Sequence, residues 1–306
     1  DGTWPYAPRW LFTGGVRIHY VDEGPRSGPP VVMLHGNPTW SYLYRRLIAA
    51  LAEAGFRAIA YDAAGFGRSD KPRRASEYSL RAHSQHFHAL MKALSLRQAT
   101  LVMHGWGGPI GLSWAVDYPG RVAALVPMNT FTGLAPDGLR LPVAVRLAGG
   151  PGSGELIVKG AHAVVRRGLF GRGMEHPERL GAAERKAYLA PHPSWESRTG
   201  VLASLRLMSR SGGGPTAEIG TRIESGLSSF FDTPTLICWG MRDKLAEPML
   251  RYWRQALPAA DVCEIDDAGH FLQEDAPEEV SRAVLGFLGR VTSPSGPRGP
   301  RSGEAR

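Results

Sequence analysis

Cysteine is nearly absent, with only Cys238 and Cys263 in 306 residues. So few thiols exclude a disulfide-dense secreted scaffold, and no cysteine or histidine spacing resembles a zinc site. Both lie in apolar, strand-like runs, where reduced core cysteines are the simpler expectation; a disulfide would need them on neighbouring strands. Long apolar stretches are also missing, since nothing approaches the ~18 residues that cross a bilayer. The segment from Asp1 to Trp10 has neither the basic start nor the apolar stretch of a secretory signal. With no Met at position 1, the numbering is expected to begin at a trimmed or processed end. These absences lead us to expect a cytoplasmic protein without a transmembrane segment, associated with a membrane surface only through an assembly.

Charge is present but unpatterned. The formal net charge of +8 comes from arginines scattered along the chain rather than interleaved with aromatics in one segment. No nucleic-acid partner is expected from that distribution, although a basic protein retains some attraction to acidic surfaces. No metal or cofactor motif is found.

The composition is that of a globular chain: 43% hydrophobic and 21% charged, long enough for one α/β domain with an insertion. Strand-like segments fall at 16–20, 31–34, 57–61, 100–104, 122–128, 235–239 and 262–265. Helix-like segments fall at 43–54, 80–94, 110–118, 249–256 and 277–288. Such alternation predicts an α/β fold, a mostly parallel sheet flanked by helices on both faces. Residues 1–130 and 232–291 form its two parts, and the helix-prone stretch 131–231, broken at 149–154 and 211–215, reads as a helical cap domain. Residues 292–306, rich in Ser, Pro, Gly and Arg, cannot bury a core and read as a disordered tail or interdomain linker.

Four short motifs carry chemistry. Leu34-His35-Gly36-Asn37-Pro38-Thr39-Trp40 follows a strand; its turn exposes N–H donors that, with the Asn37 amide, suit a developing negative charge. By itself it is also an ordinary Asn-Pro turn. Val102-Met103-His104-Gly105-Trp106-Gly107-Gly108 lies between a buried strand and a helix, the setting of a nucleophile elbow. The raised position is Gly105, however, and a glycine-rich turn without catalysis reads equally well from these residues alone. Trp239-Gly240-Met241-Arg242-Asp243 ends a strand after the insertion and offers an acid to orient a histidine. Asp266-Asp267-Ala268-Gly269-His270-Phe271 follows the last strand. Singly, Asp243 is as easily a surface turn and His270 a structural side chain. Elbow, acid, histidine is nevertheless the chain order of the α/β-hydrolase fold.

At these residues the chain resembles the haloalkane dehalogenases, whose elbow reads His-Asp-Trp-Gly-Gly-Pro-Ile-Gly where this chain has His104-Gly105-Trp106-Gly107-Gly108-Pro109-Ile110-Gly111. The resemblance implies that Gly105 stands at the place of an aspartate nucleophile and that Asn37 and Trp106 bind the leaving group. It also implies that His270, oriented by Asp243, is the base. Some relatives place the acid after the sixth strand, where this chain has Asn129, which cannot ionise; the role falls to Asp243. Tyr188-Leu189-Ala190-Pro191-His192-Pro193-Ser194-Trp195, Leu236-Ile237-Cys238-Trp239-Gly240 and Asp267-Ala268-Gly269-His270 are similar to the OleB β-lactone decarboxylases. Those enzymes convert a long-chain cis-β-lactone to a cis-alkene and carbon dioxide, in some bacteria fused ahead of an OleC-type synthetase. This resemblance implies an apolar substrate and such a synthetase as partner beyond the linker.

Glycine at position 105 removes the covalent step. Neighbouring His104 is expected to point away from the raised site. Three explanations stand open: a deliberate substitution, a natural loss that leaves a binding or scaffold protein, or slow direct attack by water activated by His270. Beside an inactive decarboxylase, a haloalkane dehalogenase and a non-catalytic lipid-binding or assembly module are the alternative functions.

Overall fold

The computed structural model describes residues 2–134, 142–209, 215–244 and 246–293. Among them, eight strands form one sheet: β1 (Arg9–Thr13), β2 (Val16–Glu23), β3 (Pro30–Leu34), β4 (Arg57–Tyr61), β5 (Ala99–Gly105), β6 (Val122–Thr130), β7 (Leu236–Gly240) and β8 (Asp261–Ile265). Their spatial order is β1-β2-β4-β3-β5-β6-β7-β8. The first two pairings, β1 with β2 and β2 with β4, are antiparallel, and the rest are parallel.

The central strands are apolar on both faces, so both faces must be covered. Val32 and Leu34 of β3 join one core, with Leu90 of helix Leu80–Ala93, Trp114 of helix Gly107–Asp117 and Trp253 of helix Ala246–Ala256. Val31 and Met33 join the other, with Leu47 of helix Arg45–Glu53 and Val284 of helix Pro277–Thr292. Removing one such buried aliphatic side chain costs about 2–5 kcal/mol, and this rigidity holds the sheet's carboxyl edge in place for the loops it carries.

Strand β1 is absent from the sequence reading. Its Trp10 and Phe12 face outward at the sheet's edge, so the short apolar run lacks the alternation of a half-buried strand. A usable signal lay next to it: Gly14 and Gly15 both have positive φ and close a two-residue hairpin pairing Thr13 with Val16. Some elements are longer than expected, with β2 running to Glu23 and the last helix to Thr292, whereas the helix expected at 43–54 spans Arg45–Glu53.

Within 131–231 the described elements are helical: Val143–Gly149, Glu155–Gly160, Val164–Arg172, Ala182–Leu189, Thr199–Ser209 and Pro215–Gly226, with short turns between them. Pro215–Gly226 packs on the two sheet-covering helices Leu80–Ala93 and Gly107–Asp117. The expected break at 211–215 and the tail at 292–306 fall largely on residues 210–214 and 294–306, outside the described residues. Among the described residues no helix is long and apolar enough to cross a membrane.

Candidate active site

Strand β5 is buried along its whole length and ends at Gly105, whose φ is +50°. The helix that follows starts at Gly107, so the chain reverses within two residues. Close packing dictates the glycines after the apex. A Cβ on Gly107 would come within 2.1 Å of the Leu34 carbonyl oxygen, and one on Gly108 within 2.0 Å of Thr130 Oγ1. The Thr130 hydroxyl donates to the Gly105 carbonyl at 2.6 Å and ties the apex to β6. The sequence therefore builds a tight strand-to-helix turn whose apex residue has no side chain.

Position 105 still points somewhere definite. A Cβ built there lies 3.8 Å from His270 Nε2 and 3.2 Å from Gly36 Cα, and apart from its chain neighbours meets nothing else within 4 Å. His270 Nδ1–H donates to Asp243 Oδ2 at 2.8 Å, which fixes the tautomer and turns Nε2 toward the elbow. His270 keeps about 32% of its side chain exposed and Asp243 about 13%. The structure thus brings Gly105, His270 and Asp243 together.

His104 faces the other way. It is fully buried and donates through Nε2 to the His270 carbonyl at 2.8 Å, so it braces the histidine loop from below. Burial, with His270 beside it, pushes its pKa down to about 3, and it stays neutral near pH 7.

Asn37 and Trp106 border one cavity, together with Phe66, His83, Ile110 and Leu207. Trp106 Nε1 and Asn37 Oδ1 are buried without a hydrogen-bond partner among the described residues. The Asn37 amide nitrogen donates to the Val201 carbonyl of helix Thr199–Ser209 at 3.1 Å, so the cap reaches down to the same residue. Gly36 links this cavity to the elbow, because it lines the first and packs on the second. His35, in the same turn, is structural: it accepts from Ala63 N–H on Nε2 and donates from Nδ1 to the Gly36 carbonyl.

Two supporting residues escaped the sequence reading. Asn129, discounted as an acid, donates to Asp243 Oδ2 at 3.0 Å and is tied to Gly240 in both directions, at 2.7 and 3.2 Å. It adopts a positive φ of 36°, a conformation asparagine tolerates better than most residues. Asp275 is completely buried and accepts the N–H groups of Gly269 (2.8 Å), Glu175 (3.0 Å) and His176 (2.8 Å). One carboxylate thereby holds the histidine loop and the cap segment 175–176 at once. No local pattern announces this, since its partners lie both in the middle of the cap and beside the histidine.

A strand-end elbow, an acid after β7, a histidine after β8 and helices inserted above the sheet define a class, and the comparisons agree. The family described as alpha/beta hydrolase fold matches residues 29–277, and the chain belongs to it. Among its relatives is the cis-3-alkyl-4-alkyloxetan-2-one decarboxylase of Shewanella oneidensis, 35% identical over 94% of this chain and 90% of that protein. The decarboxylase of the same name from Xanthomonas campestris is 34% identical over 90% of this chain and 93% of its own. Haloalkane dehalogenase 2 of Mycobacterium bovis is 34% identical over 94% and 96%. Among solved structures, the haloalkane dehalogenase DatA from Agrobacterium tumefaciens superposes with a TM-score of 0.81 at 30% identity, covering 94% of this chain and 97% of that one.

Proposed function

We propose that this chain is a β-lactone decarboxylase by descent, built for cis-3,4-dialkyl β-lactones and held without covalent turnover by Gly105. The observation that carries the reading is the aim of position 105 at His270 Nε2, with Asp243 and Asn129 braced behind the imidazole. A site that had lost its use would be under no pressure to keep that line. Relatives named as oxetanone decarboxylases over nine-tenths of the chain point to the lactone as substrate class.

The chemistry follows from the parts. An aspartate at 105 would attack the alkyl-bearing carbon bonded to the ring oxygen, and not the carbonyl carbon, breaking that C–O bond and releasing a carboxylate. The Trp106 indole N–H and the Asn37 amide would stabilise the charge as it develops. Loss of carbon dioxide from that carboxylate supplies the electron pair of the alkene and expels the aspartate, which is regenerated. His270, held in place by its hydrogen bond to Asp243, would control the water and protons beside the ester. With glycine at 105 the first of these bonds has no donor.

The test is Gly105→Asp, incubated with a cis-dialkyl β-lactone and assayed for alkene by gas chromatography. Alkene from the aspartate form and none from the starting protein is the expected result. A second reading, dehalogenation, has the 34%-identical dehalogenase in its favour; there the aspartate form would release halide from bromoalkanes faster than it consumes lactone. If Gly105→Asp makes neither product yet binds long-chain lactone, the chain is a lipid-binding module and the enzymatic reading fails. The proposed OleC-type partner is tested separately, by co-elution with such a synthetase in gel filtration.

A further inference from the structure

The sequence suggests reduced core cysteines for Cys238 and Cys263, with a disulfide possible only if they lie on neighbouring strands. They are free, and they face each other: the register of β7 and β8 pairs Cys238 directly with Cys263. Paired residues in a parallel ladder project to the same face, and neighbouring strands lie about 4.8 Å apart. That spacing falls inside the range of Cα separations, about 4.4–6.8 Å, over which a disulfide closes. The register therefore sets the two free thiols side by side across the ladder.

Their environments differ in a way that assigns each a role. Cys238 is wholly buried in the core beneath helix Pro277–Thr292, whereas Cys263 is partly exposed. Strand β8 is the last in the sheet, and Asp261, Val262 and Glu264 around Cys263 are exposed, so a small oxidant reaches this thiol from the edge. The neighbouring Cys238 thiol draws Cys263 below its ordinary value against the opposing effects of burial and Glu279. Cys263 is therefore the more readily deprotonated of the two, and the thiolate is the reactive form. The Cys263 neighbour, with burial, raises Cys238 and keeps it a thiol.

The location gives the pair a consequence. Strand β7 runs directly into Gly240 and Asp243, and β8 into the loop that carries His270. The two cysteines thus sit at the roots of the acid and of the histidine, on the only two strands that supply them.

We propose that Cys238 and Cys263 form a reversible dithiol–disulfide couple, oxidised by hydrogen peroxide at Cys263, which ties the acid-bearing strand to the histidine-bearing strand. The Cys263 thiolate attacks a peroxide oxygen; the S–O bond forms, the O–O bond breaks, and the departing hydroxide leaves as water with the proton that Cys263 gave up. Formation of the sulfenic acid removes the thiolate that had raised Cys238. Cys238 then attacks the Cys263 sulfur, the S–S bond forms, the S–O bond breaks, and a second water carries away the Cys238 proton. Two thiols lose two electrons, and one hydrogen peroxide becomes two waters. A bridge within a hydrogen-bonded ladder must pull its two Cβ atoms together against the strands, which makes it readily reducible.

The experiment needs only the full chain as it exists and does not involve position 105. On titration with hydrogen peroxide, the monomer is expected to lose about 2 Da by intact mass, both titratable thiols are expected to vanish, and dithiothreitol should restore them. Peptide mapping places the link between Cys238 and Cys263. Cys263→Ser should blunt the reaction at least about tenfold, while Cys238→Ser should still react but stop at a dimedone-trappable sulfenic acid. If the folded monomer, checked by circular dichroism, keeps both thiols in excess peroxide, the proposal is overturned. It is equally overturned if the only disulfide links two chains on a non-reducing gel. In a histidine-labelled sample the oxidised form should move the His270 imidazole resonances and leave those of His19 in place; unmoved His270 resonances would overturn the coupling to the site.

Discussion

Two of the histidine–aspartate pairs in this molecule, both joined through Nδ1, share one distance and differ in everything around it. His19 Nδ1 meets Asp62 Oδ2 at 2.8 Å, and His270 Nδ1 meets Asp243 Oδ2 at 2.8 Å. The first pair is sealed, with no exposed surface on either side chain. Asp62 also accepts the Ser41 and Arg68 N–H groups, each at 2.8 Å, so it fastens β2 and β4 to the turns at 41 and 68. In the second pair the far ring nitrogen looks across a gap at the elbow, and a third of the imidazole is open. A histidine oriented by a carboxylate is thus not by itself a catalytic device. What separates the two is the approach left open at Nε2.

The largest expected effect sharpens that contrast. In the Gly105→Asp background, His270→Gln should lower the rate of lactone consumption by about 10²–10⁴-fold. His19→Gln in the same background should leave the rate per folded molecule within a few-fold. Equal losses in both variants, measured at matched folded fraction, would end the distinction between a working pair and a structural one.

Stability should run the opposite way. Asp62→Ala strands His19 and two N–H donors in the core and is expected to cost about 3–5 kcal/mol by urea unfolding. Asp243→Ala, at a partly open site, should cost about 1–3 kcal/mol. A smaller loss at Asp62 than at Asp243 would contradict the burial argument.

Acid acts on three other buried imidazoles. Burial pushes His83, His104 and His192 down to about 3. The unfolded chain binds these protons near pH 6.5 while the native chain refuses them until about 3, so stability falls as pH drops through that window. The slope is up to about 1.4 kcal/mol per pH unit for each histidine. Asp62 adds to this at lower pH: burial raises its pKa, but His19, His35 and the Arg68 N–H outweigh that and hold it below the ordinary value. Its contribution is present above the unfolded carboxylate pKa and disappears as pH falls through the lowered native one. Urea midpoints at pH 7 and pH 5 check the histidine part, and equal midpoints would show that these rings titrate in the native state.

The smallest effect concerns the elbow itself. A side chain at a φ of +50° costs about 1–2 kcal/mol, so Gly105→Ala should destabilise the protein by that amount. Gly105→Asp should do much the same, which makes gained activity and lost stability two readings of one substitution. A Gly105→Ala melting temperature equal to that of the starting protein would mean that the elbow relaxes instead of holding its shape.

Much of this was legible along the chain. Apolar periodicity marked the central strands and the helices packed on them, because a buried face leaves its period in neighbouring residues. The order of elbow, acid and histidine identified the α/β-hydrolase fold, and the glycines after Gly105 marked a turn that only a missing Cβ allows. Strand β1 was lost because an edge strand with outward-facing Trp10 and Phe12 carries no such period.

What tertiary structure alone decided are the relations between distant residues. Asn129 proved to brace the acid it fails to replace, and Asp275 to clamp the histidine loop and the cap with a single carboxylate. Strand register set Cys238 against Cys263. The sequence offered Asp243 to a histidine and gave no sign of Asp62, whose pairing with sealed His19 only the fold discloses. Local sequence encodes backbone preference and the side a residue turns to the core. Partners far apart in the chain are chosen by how the sheet and its two layers of helices close, and that closure is a property of the whole molecule.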